Sequence, residues 1–189
     1  MKWLAVAFFL TAPFWETKAP ADWTEEELQS LLTDSPWAQM SNAPGDGPAV
    51  QVYLATAGPM EQAEQERERR FRRKRPNEQT DETTLEYREW LQENRANSIV
   101  VAIAVPKFDT DTQRMEEECL MRVGRKKFKM TGHFPPTAHD PFLRIAFPRE
   151  VKASDKNLTF DLYLPGAPIP YRSVEFKVRD MVVGGKLEI

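Results

Sequence analysis

The sequence predicts an α+β fold, a mostly antiparallel β-sheet or sandwich with a two-helix insertion after its first strand and a short helix near its N-terminus. Three observations lead there. Apolar and polar residues alternate over 158–164, 174–179 and 186–189, the pattern of strands with one buried face. Residues 99–105 (Ile-Val-Val-Ala-Ile-Ala-Val) form an unbroken apolar run that suits a central strand. Between that run and the alternating stretch at Val50, Val52 and Leu54 lies a charged region, 60–97, with helical spacing.

In chain order, Met1-Lys2 and the uncharged run 3–12 have the form of a secretory signal peptide. The run is shorter than the about 20 apolar residues a membrane span needs. Ala19-Pro20-Ala21 supplies a small-x-small cleavage pattern, so 1–21 is read as the signal peptide and 22–189 as one α+β domain. Asp22-Trp23-Thr24-Glu25-Glu26-Glu27-Leu28 opens the short helix: Thr24 and Glu27 have capping-box spacing, and Trp23 and Leu28 occupy hydrophobic-staple positions. Pro36 ends it near Asp34. Trp23 and Trp37 are read as core anchors, and 41–48, rich in Gly, Pro, Asn and Ser, as a loop.

After the strand at 50–56, Gly58-Pro59 opens a helix over 60–75 whose acids precede its bases, as the helix dipole favours. A second helix, capped at Thr83, carries Tyr87, Trp90 and Leu91 on one face. Strand, two helices and strand read as a crossover that leaves 50–56 and 99–105 parallel. Residues 118–123 and 127–131 flank Gly124-Arg125-Lys126 as a hairpin, and 142–147 is a further apolar strand.

The chain of 189 residues has 26 basic and 29 acidic side chains, a net charge of −3, and the segment left after removal of 1–21 carries −4. Such a balance excludes the overall basic field of a dedicated nucleic-acid binder. A single cysteine, Cys119, excludes an internal disulfide framework and multi-cysteine metal sites. The mild total conceals a local extreme, since 67–75 sums to +6 and the following 76–93 to −5. Arg69, Arg70, Arg72 and Arg73 are therefore the candidate contacts for a partner or an anionic surface. With Phe71 as the block's lone aromatic, a base-stacking platform is missing and nucleic acid is not an expected partner.

His133, His139 and Asp140 lie close in sequence and have the chemistry of transition-metal ligands, although two intervening prolines remove helical ligand spacing. Gly-x-Ser-x-Gly and His-Glu-x-x-His motifs are absent, and no cofactor is implied.

Asp22-Trp23-Thr24 with Ser35-Pro36-Trp37-Ala38, the Thr-Ala-Gly-Pro-Met element at 56–60, and the ending Phe176-Lys-Val-Arg-Asp-Met-Val with Gly185-Lys-Leu-Glu-Ile resemble a group of uncharacterised exported bacterial proteins. That resemblance implies export and a single integrated domain, and it brings no catalytic residue. The expectation is an exported periplasmic or extracellular protein acting by binding or scaffolding in the cell envelope. The second reading is an envelope hydrolase or metal-dependent enzyme built on His133, His139 and Asp140.

Overall fold

The computed structural model describes residues 12–42, 47–105, 108–109 and 112–189. Residues 1–11 of the expected signal peptide and residues 43–46 of the expected loop lie outside the described residues.

The elements run α1 (Phe14–Thr17), α2 (Glu25–Thr33), β1 (Ala38–Ser41), β2 (Val50–Leu54), α3 (Gly58–Lys74), α4 (Glu82–Asn94), β3 (Ser98–Ala104), α5 (Gln113–Glu118), β4 (Leu120–Val123), β5 (Lys126–Lys129), β6 (Gly132–Phe134), β7 (Phe142–Pro148), β8 (Asn157–Tyr163), β9 (Tyr171–Lys177), β10 (Val182–Val183) and β11 (Lys186–Leu187). They form one sheet of order β1-β2-β3-β7-β6, a second of order β5-β4-β8-β9, and the small pair β10-β11. All of these pairings are antiparallel, so the α+β class is as the sequence predicts.

Three expectations about the strands need correction. The strands at 50–54 and 98–104 are antiparallel neighbours, with Val52 opposite Ile103 and Leu54 opposite Val101. A single crossover helix would carry the chain back along the sheet and make the strands parallel, whereas α3 runs out and α4 returns the chain to the end it left. The pair therefore acts as a long hairpin connection. The insertion also follows the second strand, not the first, because Ala38-Gln-Met-Ser pairs with β2. That segment lacks an apolar alternation of its own and is held by its neighbours. Finally, Lys186–Leu187 pairs with β10 in a separate ribbon instead of joining the main sheet.

Burial on both faces of β3 matches its apolar run. One face of the first sheet presents Val101, Ile103, Leu143, Ile145 and Phe147 to the second sheet, where the Phe147 ring lies 5.3 Å from that of Phe160. The second sheet answers with Leu158, Phe160, Leu162, Val174 and Phe176, all buried. Each such aliphatic or aromatic side chain, fully buried, contributes about 1.5–3 kcal/mol. Gly124, at φ 58°, makes the tight turn between β4 and β5, a conformation few other residues adopt easily.

α2 forms as its spacing predicts. Glu27 N–H donates to Thr24 Oγ1 at 3.1 Å, and Thr24 N–H donates to the Glu27 carboxylate at 2.9 Å. Its Leu28, Leu31 and Leu32 are buried. α4 is capped differently from expectation: Asp81, not Thr83, accepts from Thr84 N–H, because the helix starts two residues earlier.

Part of the segment read as a signal peptide packs on the body. The Phe14 ring meets Trp23 at 5.7 Å, Trp15 meets Trp37 at 5.8 Å, and Lys18 pairs with Glu27 at 2.5 Å. If export removes 1–21, these contacts leave with it. Aromatic pairs of this kind are worth about 0.5–1.5 kcal/mol each. The full chain is therefore expected to be more stable than the chain starting at Asp22 by roughly 1–3 kcal/mol, read by denaturant titration of both forms. N-terminal sequencing of the protein recovered from cells identifies which form occurs there.

Candidate functional site

The helix-facing side of the first sheet holds the densest group of titratable side chains. Register places Tyr53, Ala102, Arg144 and Phe134 in one cross-strand row. The small Ala102 between Tyr53 and Arg144 leaves room for side chains descending from the insertion. On α3 the stripe Met60, Ala63, Glu64 and Arg67, at i, i+3, i+4 and i+7, matches the period of a sheet-facing side. Its two charged members meet partners there: Arg67 lies 5.2 Å over the Phe142 ring, and Glu64 reaches Arg144.

Arg144 is 5% exposed. Its guanidinium pairs with Glu64 at 2.9 Å and with Asp140 at 2.9 Å, and stacks 4.4 Å from the Tyr87 ring of α4. Tyr53 Oη donates to Glu64 Oε1 at 2.5 Å. Burial is the largest single influence on Arg144 and works against its charge, but Glu64, Tyr53, Tyr87 and Asp140 together outweigh it and hold the guanidinium well above its ordinary range. Burial, then the neighbouring Glu64 charge, likewise pushes the Tyr53 phenol well up, and burial raises Tyr87. Arg144 is thus a cation, and Tyr53 and Tyr87 are neutral phenols, at neutral pH. Tyr87, Phe134, Thr137, Asp140 and Arg144 help line a void of about 10 Å³. Tyr87 Oη and Asp140 Oδ1 are buried and have no hydrogen-bond partner among the described residues. The arrangement clamps α3, α4 and the loop before β7 onto the sheet through one cation.

The predicted trio His133, His139 and Asp140 is divided by that geometry. His133 shares a row with Leu54, Val101 and Ile145, on the sheet face opposite Arg144. Burial lowers its pKa. Asp140 is engaged by Arg144, and His139 Nε2 lies 2.8 Å from Glu78 in the connector between α3 and α4. His139 Nδ1 is 3.9 Å from Asp81. Among the described residues no group of three or more His, Cys, Asp or Glu side chains is arranged to hold a metal ion. The Cys119 thiol is buried, accepts from Tyr163 N–H at 3.2 Å, and is pushed by burial up to about 11. It is therefore a thiol, not a thiolate nucleophile, at neutral pH.

The basic block also separates into two parts. Arg70 turns into the body, where it pairs with buried Glu66 at 2.6 Å and Glu25 at 2.9 Å and donates to Trp23 O. Arg69 shares Glu66 at 2.7 Å. Hydrogen bonds from Arg69 and then Arg70 hold the Glu66 carboxyl down at about 2 despite its burial. Beyond Arg70 the helix leaves the body, and residues 71–77 are all exposed. There Arg72 pairs with Glu68 of the block itself at 2.6 Å, and Arg75 pairs with Glu78 of the acidic stretch at 3.2 Å, so that stretch neutralises part of the block. Among the described residues Arg73 and Lys74 have no carboxylate within 4.0 Å.

Arg144, Glu64 and Tyr53 were not singled out by sequence reasoning, and Tyr87 only as part of an apolar helix face, although a charged residue at the centre of Phe-Leu-Arg-Ile-Ala-Phe was a visible signal. Nor was Arg172, a second buried arginine at 4% exposure. Comparison of the chain with models of protein families, with curated proteins and with solved structures finds no match.

Proposed function

We propose that the protein is an exported, non-catalytic binding domain of the cell envelope that attaches to an anionic lipid surface through the projecting end of α3. The observation that carries this reading is the uninterrupted exposure of 71–77, with Phe71 38% exposed among Arg72, Arg73, Lys74 and Arg75. The Arg75 guanidinium lies 5.4 Å from the Phe71 ring. Cations around an accessible aromatic suit the boundary between headgroups and acyl chains. The ion pairs of Arg72 and Arg75 are solvent-exposed, and pairs of that kind exchange partners at little cost. Arg70, turned inward, serves to fix the helix and is not a surface contact. The leader-like start supports export.

Sedimentation with vesicles tests the reading. The full chain is expected to bind phosphatidylglycerol vesicles and not phosphatidylcholine vesicles, and to be released by about 0.5 M salt. Arg73→Gln with Lys74→Gln is expected to weaken binding about thirtyfold, since each cation near an anionic surface contributes about a factor of five. Equal binding to neutral vesicles, indifference to salt, or preference for a duplex DNA control would each reject it.

A further inference from the structure

A buried cation with no carboxylate partner among the described residues lies outside the helical insertion, on β9. Arg172 on β9 is buried, and its guanidinium donates to three backbone carbonyls, those of Ile169, Tyr171 and Pro48. Among the described residues it has no carboxylate partner, and its Nε is buried with no acceptor. Buried guanidinium groups ordinarily face a carboxylate, because an uncompensated charge away from water is costly. Burial alone moves the pKa of Arg172, downward. The contrast with Arg144, held between two carboxylates, is direct.

An open groove of about 480 Å³ runs beside this residue, and it borders the free edge of β9. Its lining includes Asn42, Leu162, Tyr171, Arg172 and Ser173. Its acidic members, Glu118 and Asp161, are each matched by an arginine at 2.6 Å, Arg114 and Arg122. The lip is therefore balanced, and among the described residues the unmatched charge is that of Arg172.

Hydrogen-bond parity shows which backbone groups face the groove. Leu164 N–H donates to Pro170 O and Val178 N–H to Lys156 O, so even-numbered residues of β9 bond to β8 and odd-numbered ones point outward. The Glu175 carbonyl confirms this, since it accepts from Gln39 Nε2 at 2.8 Å across the gap to β1. That bond closes the far half of the edge. The near half leaves the N–H and C=O of Ser173 and the N–H of Tyr171 directed outward. The opposite edge of the same sheet, β5, carries Lys126, Lys127 and Lys129, a lysine-rich edge of the type that resists strand pairing. Among the described residues β9 has no such lysine guard at its near end.

We propose that this groove binds an extended acidic peptide segment, which adds as a strand along Tyr171–Ser173 and places a side-chain carboxylate against Arg172. The placement follows from strand geometry. A residue directly opposite Arg172 on an added strand projects to the same inward face as the guanidinium, while its two neighbours project outward beside Tyr171 and Ser173. Main-chain bonds supply the general affinity, and the inward carboxylate supplies the selection. This surface is separate from the end of α3 and does not depend on attachment there.

The test uses the full chain and three blocked pentapeptides: Thr-Val-Glu-Val-Thr, its Gln counterpart, and the Glu peptide with alternate backbone nitrogens methylated. Backbone amide shifts are followed by NMR, with glutarate as a carboxylate lacking a backbone. The expected result is saturable shifts centred on Tyr171 and Ser173 with the Glu peptide, at least about tenfold weaker binding of the Gln peptide, and loss of binding on methylation. Arg172→Gln should erase the difference between the Glu and Gln peptides. Equal affinity of those two peptides for the unaltered protein, binding of glutarate as tight as that of the Glu peptide, or shifts centred on β5 or α3 would overturn the proposal. So would the absence of saturable shifts at millimolar peptide. If Arg172→Gln does not fold, the peptide comparison on the unaltered chain decides alone.

Discussion

Arg144→Met is expected to lower the unfolding free energy by about 3–5 kcal/mol, because it removes one partner and strands Glu64 and Asp140 in a buried setting. For a chain of this size that is a fall in melting midpoint of roughly 6–20 °C. Calorimetry or denaturant titration reads it directly. Adding Glu64→Gln and Asp140→Asn to Arg144→Met should recover a large part of the loss, since neutral amides tolerate burial better than unpaired carboxylates. Acidifying the Arg144→Met variant should act in the same direction by neutralising the stranded groups. A loss below about 1 kcal/mol would mean that the cluster is solvated and does not clamp the insertion.

The second large effect is expected at Trp37, which is 1% exposed and links three parts of the chain. Its indole Nε1 donates to Glu188 O at 2.6 Å, its carbonyl accepts from Leu54 N–H at 2.9 Å, and its ring meets Trp15. Trp37→Ala should cost about 3–5 kcal/mol, the usual range for emptying a large aromatic site. Trp37→Phe keeps most of the apolar volume and gives up the indole hydrogen bond, so a cost nearer 1–2 kcal/mol is expected. Comparable losses in the two variants would assign the effect to the hydrogen bond instead of to packing.

What could be read from residues alone depended on how local the determinants were. The capping box of Thr24 and Glu27, the fully buried run of β3 and the alternation of β8 and β9 all follow from neighbours in sequence, and the structure contains them. The strand at 38–41 has little pattern because its pairing with β2 and the adjoining Trp37 define it. The orientation of β3 against β2 turned on whether two helices return the chain to its starting end, a geometric matter that periodicity does not express. The candidate site was the least legible part. Glu64 reads as one more acid on a charged helix until Arg144, eighty positions later, arrives beside it. Arg172 sits at an inward position of a clean alternation, where its charge was the anomaly, and only the backbone carbonyls around it explain how it is held. The histidines were conspicuous by rarity, but β6 pairs with β7 in a register that sends His133 to the other face from Asp140.

The joining of β2 to β3 by a helical pair bears on how this chain can change. Ala55 N–H already donates to Val100 O at 2.8 Å, so the two strands meet immediately at the root of the insertion. The sheet therefore owes its connectivity to nothing in 58–97, and a tight turn could replace that whole segment without altering strand order. What ties the segment to its place is Arg70, held by Glu25 and Trp23 O, and the polar floor beneath it, Tyr53 and Arg144, which would lie bare after excision. A shortened protein is accordingly expected to need apolar or small polar replacements at those two positions, and lengthening α3 and α4 at their outer ends should need no change in the sheet at all. The appendage is replaceable in length and charge at its outer end, yet bound to the body by the few side chains at its base.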